Sequence, residues 1–333
     1  MNETLTQIFT LFHSGVVFGT IIMFGALGEI VTEKSGHLNL GVPGIMYLGG
    51  ISGLMASFFY ENGNPDAKTS VSVILAIIFC FIGSALGGLI YAFLTISLRA
   101  NQNVTGLALT IFGSGFANFF GGMLNKLSGG VGQISVNVAS SGFRAYISSI
   151  AGNDTGDPLY AIFGYGWLAY VAILCAVILH FVLNKTRVGL CLRAVGEDPA
   201  TADAAGINVT KYKYLSICIG AGISGFGGLY YTMDYIKGTW ANDGTMEALG
   251  WLAVALVIFT TWRPLNAIWG AILFGVCYWS YLYIPGLNRS SIEIFKMIPY
   301  VVTLAVLIIV SLRKKRETQP PAHLGLPYFR EER

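Results

Sequence analysis

The chain has 333 residues, of which 54% are hydrophobic and 11% are charged, and its formal net charge at pH 7 is +3. A soluble domain carries about 25% charged residues, so this composition cannot supply a water-facing surface of ordinary polarity, and the mean hydropathy of +0.64 agrees. The composition therefore excludes a soluble domain of any size and predicts an all-α, polytopic helical membrane protein.

Nine apolar runs approach the roughly 20 residues that a helix needs to span hydrocarbon. They lie at about 8–31, 38–60, 71–98, 104–123, 159–183, 213–233, 246–262, 264–284 and 297–312. The last three runs are short or loosely bounded, and the second contains Pro43 and several glycines. About eight to ten transmembrane helices are therefore predicted, one or more of them broken or re-entrant. Glycine-rich stretches at Gly41–Gly50 and Gly220–Gly228 are compatible with a chain of two pseudo-repeated halves.

The basic residues predict how these helices are oriented. Of the 20 Lys and Arg, 14 can be placed on one side of the membrane: Lys34, Arg99, Lys185, Arg187, Arg193, Lys211, Lys213, Arg263, Arg313, Lys314, Lys315, Arg316, Arg330 and Arg333. Cytoplasmic loops carry the excess of basic residues, so the N-terminus is predicted outside and the C-terminus inside. The transmembrane domain is expected at 1–318, with a cytoplasmic loop at about 184–214 and an extracellular loop at about 124–158. A short polar tail, 319–333, is expected to be poorly ordered.

The loop at 184–214 holds the signature of a short capped helix. Asp198 is predicted to cap a helix that begins at Pro199, and Gly206 is predicted to end it. A short helix with small side chains that lies parallel to the membrane suits docking into a groove of another protein. The alternative is an ordinary connecting loop. The predicted docking segment consists of Glu197, Asp198, Pro199, Ala200, Thr201, Ala202, Asp203, Ala204, Ala205 and Gly206.

Three blocks of this sequence resemble one family. The block LRAVGEDPATADAAGINV (192–209) resembles the cytoplasmic coupling loop of ABC-importer permeases of the branched-chain amino acid, ribose and nucleoside class. The block ALGEIVTEKSGHLNLGVPGIMYLGG (26–50) resembles the N-terminal signature of that class, and GWLAVALVIFTTWRPLNAIWGAILFG (250–275) is similar to a third block. NQNVTGLALT (101–110) and the turn SGHLNLG (35–41) most resemble nucleoside-type permeases. Relatives often carry Glu where Pro43 stands, which puts one contact in the solute path in doubt.

This resemblance implies a permease subunit of an ATP-driven importer in a bacterial inner (plasma) membrane. The implied solute is small and polar, a nucleoside first, with a sugar or an amino acid as alternatives. The implied partners are a cytoplasmic ABC ATPase, a second and different permease subunit, an extracellular or lipid-anchored substrate-binding protein, and membrane lipid. ATP and Mg are expected on the ATPase and no cofactor on this chain, which lacks a G-x-x-x-x-G-K-[ST] loop. Nucleic acid is not an expected partner, since the basic residues are accounted for by the orientation of the helices in the membrane.

Amides, hydroxyls and aromatic rings near the glycine-rich breaks are the candidates for the solute path. Such groups can bind a polar ring or a sugar without the desolvation cost of a charge. Their alternative role is capping and packing between helices. Glu29 is expected near the cytoplasmic end, where Glu33 and Lys34 meet water, although a gating or cavity-facing role is the alternative. The predicted path residues are Asn39, Asn101, Asn103, Thr105, Thr110, Phe112 and Trp251.

Two other classes of function are weighed against the permease. An ion-coupled secondary transporter would need ion ligands at mid-membrane, and Glu29 alone supports it weakly. A membrane-embedded enzyme would need a catalytic constellation, and the sequence has neither HExxH nor GxSxG. Its five cysteines form no CxxC pair, so no metal site is expected. No catalytic residue is therefore predicted.

Overall fold

The structure is a computed structural model that describes residues 3–127, 134–145, 158–284, 288–313 and 319–329. Within these ranges the regular secondary structure is helical, and no strand occurs. The prediction of an all-α membrane protein is therefore confirmed for the described part of the chain.

The described helices follow one another as thirteen α-helices. They are α1 (Glu3–Glu33), α2 (Val42–Gly63), α3 (Thr69–Ala92), α4 (Gln102–Leu127), α5 (Asn137–Phe143), α6 (Pro158–Phe163), α7 (Trp167–Lys185), α8 (Arg187–Glu197), α9 (Pro199–Ala204), α10 (Val209–Tyr230), α11 (Thr245–Phe259), α12 (Pro264–Trp279) and α13 (Arg289–Arg313). Two π-helical segments extend α3 and α10, at Phe93–Ser97 and Tyr231–Tyr235, and a 3-10 turn at Ser280–Tyr283 follows α12.

Each of the nine predicted membrane segments coincides with a described helix. Seven of the described helices are long and apolar enough to cross a membrane: α1, α2, α3 with its π extension, α4, α7, α12 and α13. The remaining two segments coincide with α10, which carries Lys211 and Lys213 in its first turns, and with α11, which has only 15 residues. The chain is thus a multi-pass helical membrane protein.

Three boundaries differ from the expectation. Helix α2 is continuous from Val42, so the glycines of the 38–60 run do not break it; Pro43 stands in its first turn, where proline fits without losing a hydrogen bond. The 159–183 run is divided instead, because Gly164–Gly166 separates α6 from α7. Helix α8 was not predicted, because its polar sequence reads as part of the cytoplasmic loop.

The bundle has one end that is rich in basic residues, called the basic end below. It joins the 34–41 segment, Arg99, helices α8 and α9, Arg263 and residues 319–329. Lys34 lies within electrostatic range of Glu197, Arg193 and Arg263 there, and Arg99 and Lys213 contact aromatic rings of the tail. Lys314, Lys315, Arg316, Arg330 and Arg333 lie outside the described residues. This grouping agrees with the predicted cytoplasmic side, while the orientation itself stays a prediction.

Helices α1, α2 and α10 form the centre of the bundle. In α1 and α2, 89% and 78% of the apolar window is buried, against 11% in α13 at the periphery. Helices α2 and α10 cross so closely that a Cβ atom on Gly228 would lie 1.9 Å from the Met46 carbonyl oxygen, so no larger residue fits there. The two glycine-rich stretches seen in the sequence therefore pack against each other. Whether they also mark repeated halves stays a prediction.

The outer faces of the peripheral helices are apolar, as lipid contact requires. Large exposed apolar side chains line α3, α7 and α13, among them Ile78, Leu86, Leu174, Phe181, Leu304 and Ile308. Helix α4 also has an exposed face, and this one mixes apolar side chains with Asn103 and two glycines, Gly115 and Gly122, whose Cα atoms face open space. The α4 face therefore differs in character from the three lipid-type faces.

Candidate functional site

Residues Ser35–Gly41, called the inserted turn below, enter the bundle between α1 and α2 instead of lying on its surface. The side chains of Ser35, His37 and Asn39 are each at most 2% exposed. Gly41 N–H donates to the Asn39 side-chain oxygen (2.9 Å), which bends the chain into α2. A polar, non-helical segment at this depth must have partners for its backbone groups, because an unpaired buried group is costly.

Side chains from three helices supply those partners. The Gln102 side-chain oxygen accepts from Leu38 N–H (2.9 Å), and the Tyr91 hydroxyl donates to the Leu38 carbonyl (2.7 Å). The Thr110 hydroxyl donates to the Leu40 carbonyl (3.1 Å), and a Glu29 carboxylate oxygen accepts from Asn39 N–H (2.9 Å). The turn is therefore fixed to α1, to α4 and to the end of α3 at once.

Glu29 belongs to a buried acid pair at the end of α1. Glu29 and Glu33 are 1% and 2% exposed, and their side chains are hydrogen-bonded to each other. Glu33 also accepts a hydrogen bond from the indole N–H of Trp262, which follows α11. The expectation that Glu33 meets water is wrong, and the Glu29 carboxyl group holds the inserted turn from inside the bundle.

The docking segment has the predicted helix. The Asp198 side chain accepts from the N–H groups of Ala200 (3.0 Å) and Thr201 (3.1 Å), and Pro199 begins the helix. At the other end, Gly206 has a φ of +81°, its N–H donates to the Asp203 carbonyl, and Ile207 N–H donates to the Ala202 carbonyl (both 3.0 Å). This pair of bonds with a left-handed glycine is a Schellman ending. The predicted start and end of the helix are confirmed.

Helix α9 is packed on one side and free on the other. Ala202 is 3% exposed and packs with Val195 of α8 and Val209 of α10. Glu197, Asp198, Thr201, Ala204, Ala205 and Gly206 are exposed. The segment therefore offers a small, flat face of short side chains, while its inner face is held by an apolar cluster.

Helix α8 connects the docking segment to the inserted turn. A Cβ atom on Gly196 would lie 2.3 Å from the Lys34 carbonyl oxygen, so the backbones of α8 and of the turn are in direct contact. Lys34 also lies near Glu197 and Arg193 of α8, and both residues act on its charge. A displacement of α8 and α9 would therefore act on the turn without an intervening side chain.

Several titratable groups of this region have shifted pKa values, among them His37 and Asp198. Burial lowers the pKa of His37 well below its usual value, and the charges of Lys213 and His323 lower it further. The pKa of Asp198 is lowered because the Thr201 hydroxyl and backbone N–H groups donate to its carboxylate. His37 is therefore neutral in the folded protein, and Asp198 is ionised wherever its cap is formed.

Residues 319–329 of the tail lie across the basic end, so the expectation of a poorly ordered tail is wrong for these residues. His323 N–H donates to the Gly196 carbonyl and Gly325 N–H to the Gly36 carbonyl (both 3.1 Å). The Tyr328 hydroxyl donates to an Asp203 carboxylate oxygen (3.1 Å). The tail thus contacts α8, the inserted turn and α9.

The predicted path residues do not meet in one cavity. Asn39 and Thr110 meet at the inserted turn, whereas Asn101 accepts from Val104 N–H (3.1 Å) and Thr105 donates to the Asn101 carbonyl (2.8 Å) at the start of α4. Asn103 and Phe112 lie on the exposed face of α4, and Trp251 is half-buried in α11. Asn39, Asn101, Thr105 and Thr110 therefore hold turns and helix ends, and a contact of any of the seven with solute stays a prediction.

The opposite end of the bundle contains a polar cavity that the sequence did not indicate. Its volume is about 600 Å³, and its lining includes His13, Arg144, Tyr160, Asp234, Lys237 and Trp279. The His13 ring stacks on Tyr165 (centroids 4.7 Å apart, 9° between planes). These lining residues come from α1, α6, the end of α12 and the segments that follow α5 and α10, so no local motif could have revealed them. Among the described residues, no cluster of His, Cys, Asp or Glu could hold a metal ion.

Proteins of similar sequence show which family this chain resembles. The sequence profile of the family "branched-chain amino acid transport system / permease component" matches residues 11–309. The guanosine ABC transporter permease protein NupQ of Bacillus subtilis is 30% identical over 327 residues, which cover 96% of each chain. The nucleoside ABC transporter permease protein NupC of Lactococcus lactis is 29% identical, over 88% of this chain and 89% of NupC.

A third relative is named for a different solute. TsgC13 of Haloferax volcanii, designated a glucose ABC transporter permease protein, is 33% identical over 267 residues, which are 80% of this chain and 75% of TsgC13. The family match spans α1 to α13 and includes the inserted turn and the docking segment. The chain therefore belongs to the family of branched-chain amino acid transport system permease components.

Proposed function

We propose that this chain forms the solute path of an ABC importer for nucleosides and couples that path to a cytoplasmic ATPase through the docking segment. The observation that carries the proposal is the arrangement of α9, which has a free outer face and an inner face packed on α8 and α10. A partner that binds the free face can move the segment as a unit. Family membership supplies the class of transport.

The contacts of α8 supply a route from the ATPase to the membrane. Gly196 lies against the Lys34 backbone, and the inserted turn that follows Lys34 is bonded to α1, α3 and α4. A rigid shift of α8 and α9 would then change the positions of these helices together. Such a shift, biased by ATP binding and hydrolysis on the partner, alternates access to the path.

The second permease subunit is proposed to pack on the exposed face of α4. Asn103 and Phe112 lie on this face, so they would reach a solute only in a cavity shared between two permeases. The polar cavity at the opposite end would lie outside the cell, where a substrate-binding protein delivers solute. The proposed location is a bacterial plasma membrane, with the N-terminus outside and the basic end in the cytoplasm.

Nucleosides are proposed as solutes because NupQ and NupC are named for guanosine and nucleoside transport. TsgC13, named for glucose, makes a sugar the runner-up. The two solute classes share a hydroxylated sugar ring, and only nucleosides add a base. Uptake of labelled guanosine and of labelled glucose into proteoliposomes that contain the complete importer distinguishes them.

Cross-linking tests the coupling. Cysteine at exposed Thr201 should cross-link to the ATPase in the assembled complex, whereas cysteine at the neighbouring Ala202, which is 3% exposed, is the matched control that should not. Uptake should require hydrolysable ATP. Gradient-driven uptake by this chain without an ATPase would overturn the proposal in favour of a secondary transporter.

A further inference from the structure

A cavity with an excess of cationic side chains opens at the basic end, beside the docking segment. Its volume is about 790 Å³, and its wall is formed by the end of α3, the start of α10, the α9–α10 connection and the tail. Arg99, Lys211 and Lys213 line it, together with His37, and Asp203 is the acidic side chain in the same lining. Because His37 is neutral, these side chains give the cavity a formal charge of about +2.

Lys213 is a buried cation in the lining of this cavity, and an empty cavity would leave its charge without a partner. It is 3% exposed, and its ammonium group lies 5.8 Å from the centroid of the Tyr328 ring. Among the described residues, no carboxylate forms a salt bridge with it. Removing an ammonium group from water without a counter-charge is costly. An anion in the cavity would supply the missing charge.

Arg99 is held in the cavity wall by an unusual backbone. Its φ of +56° is left-handed, which a residue with a side chain rarely adopts and which costs energy. Its guanidinium group lies 4.6 Å from the centroid of the Phe329 ring in the tail. Arg99 is itself exposed, so it presents a second cation on the open part of the cavity lining.

One ring nitrogen of His37, Nδ1, is left without a hydrogen-bond partner among the described residues, while the ring also bonds to the Ser35 backbone. His37 lines the cavity and is 2% exposed. Thr95 and Asn208 add further polar side chains to the lining. The cavity therefore combines one buried cation, Lys213, and two exposed ones, Arg99 and Lys211, with further polar side chains, which suits an anion.

We propose that this cavity binds a phosphate monoester. A phosphate monoester carries a charge of about −1.5 to −2 at pH 7 and three acceptor oxygens, which matches an arginine fork, two lysines and a formal charge of about +2. A singly charged carboxylate would leave part of this charge uncompensated. The site does not depend on the proposed transport function, since its cations Arg99, Lys211 and Lys213 lie outside the docking segment, although Asp203 and Gly206 of that segment share the lining.

Two sources of the phosphate are compatible with the position of the cavity. The π-helical end of α3 supplies Thr95 and Ile96 to the lining, and its neighbours Phe93 and Leu98 are 51% and 60% exposed. The cavity thus lies at the edge of the apolar belt, where a lipid headgroup such as that of phosphatidic acid can reach it. It also opens at the end predicted to face the cytoplasm, so a soluble phosphate ester can enter.

Binding of two probes to the full-length chain distinguishes these sources. One arm uses nanodiscs of phosphatidylcholine with or without phosphatidic acid, read by native mass spectrometry of retained lipid. The other arm titrates AMP onto the protein in phosphatidylcholine nanodiscs, read by calorimetry. Retention of phosphatidic acid without AMP binding assigns a lipid headgroup. AMP binding assigns a soluble ester, and either result supports the site.

Charge-removing variants show whether binding occurs in this cavity. Lys213→Met and Arg99→Gly should each weaken binding at least tenfold, and glycine suits the left-handed backbone at position 99. Lys185→Met, which removes an exposed cation of the same end, is the matched control and should bind as the unchanged chain does. Thermal unfolding without ligand verifies that each variant is folded.

Three outcomes would overturn the proposal. The first is no binding in either arm, and the second is binding that Lys213→Met and Arg99→Gly leave unchanged. The third comes from a chain truncated after Phe329, which lacks Glu331 and Glu332: if only this chain binds the probes, the natural occupant is the protein's own carboxylates. None of these outcomes affects the cross-linking or uptake tests of the transport function.

Discussion

The inserted turn and the C-terminal tail are two non-helical segments at the same end of the bundle, and they are held in different ways. The turn is buried, and side chains of α1, α3 and α4 bond its backbone. The tail lies over it, held by backbone bonds to Gly196 and Gly36 and by the Tyr328 hydroxyl, with Leu326 53% exposed. The turn therefore moves only with the bundle, whereas the tail can detach from it.

Removing the carboxyl group of Glu33 should have the largest effect. Glu33→Ala leaves the buried Trp262 indole N–H without its acceptor and removes a partner of Glu29. An unsatisfied buried donor costs about 1–3 kcal/mol, so a loss of about 3 kcal/mol in the free energy of unfolding is expected, measured in detergent by thermal or denaturant unfolding. Glu33→Gln, which keeps an acceptor, should lose less.

The matched control for this change is a glutamate on the surface. Glu293 forms an exposed pair with Lys296 (2.9 Å) in α13, and such pairs contribute about 0–1 kcal/mol. Glu293→Ala should therefore leave stability nearly unchanged. Equal effects of Glu33→Ala and Glu293→Ala would mean that the acid pair does not hold the turn.

A methyl group at Gly196 should have the second largest effect. Its Cβ would lie 2.3 Å from the Lys34 carbonyl oxygen, and backbone atoms cannot move aside cheaply. Overpacking of this kind costs about 1–3 kcal/mol, so Gly196→Ala should lose about 2 kcal/mol and should increase amide hydrogen exchange in α8 and α9. Gly63→Ala is the control, because no atom lies within 4 Å of a Cβ there. Exchange rates that match the unchanged chain would contradict the α8 contact.

The two segments also show how far the sequence could lead. Apolar runs predicted each membrane helix, since length and hydropathy are properties of the helix itself. The ends of α9 were also predicted correctly, because capping is local: Asp198, Pro199 and Gly206 determine the conformation of the backbone next to them. The turn was only half predicted. Its glycines and Asn39 indicated a break, but its depth depends on Glu29, Gln102 and Tyr91, whose partners lie 10 to 64 residues away.

The tail was the largest error of the sequence interpretation. A short segment with three prolines and few apolar residues resembles a disordered end, because it cannot form a core of its own. It is ordered here because α8 and the turn offer the Gly196 and Gly36 carbonyls to it. Those acceptors exist only in the assembled fold, so no pattern within 319–333 could have indicated them.

The third largest effect should be a pH dependence of stability that comes from His37 in the inserted turn. The pKa of His37 is lowered in the folded protein by burial, and by the charges of Lys213 and His323. A lowered folded-state pKa means that the unfolded chain binds the proton more readily, so stability is complete above the unfolded value near 6.5 and is lost as pH falls below it. The loss is limited to about 1.4 kcal/mol per pH unit.

His37→Gln isolates this contribution. The unchanged chain should unfold at a lower temperature at pH 5.5 than at pH 7.5, and His37→Gln should reduce the difference, while His323 of the tail, whose pKa is also lowered by burial, keeps its own part. His180 is partly exposed on α7, away from the inserted turn, and serves as the control, since His180→Gln should keep the pH dependence. A pH dependence that both variants retain would assign it to other groups.

The smallest effect should come from the tail. Tyr328→Phe removes one hydroxyl that donates to Asp203 and keeps the ring beside Lys213 and the apolar cluster of α9. A partly exposed hydrogen bond contributes about 0.5–1.5 kcal/mol, and because the tail can detach separately, this cost should not appear in global unfolding. It should appear as faster hydrogen exchange of 319–329.

The extent of that faster exchange tells whether the tail is one unit. If the His323 and Gly325 amides exchange faster together with Tyr328, the tail opens cooperatively, and the basic cavity opens with it because Tyr328 forms part of its wall. If only residues near Tyr328 respond, the bonds to Gly196 and Gly36 hold independently. In both cases the inserted turn should keep its protection, since the Leu38 and Asn39 N–H groups donate to Gln102 and Glu29, and its bond to the tail uses only the Gly36 carbonyl. Faster exchange of the turn in Tyr328→Phe would show that the two segments form one structure.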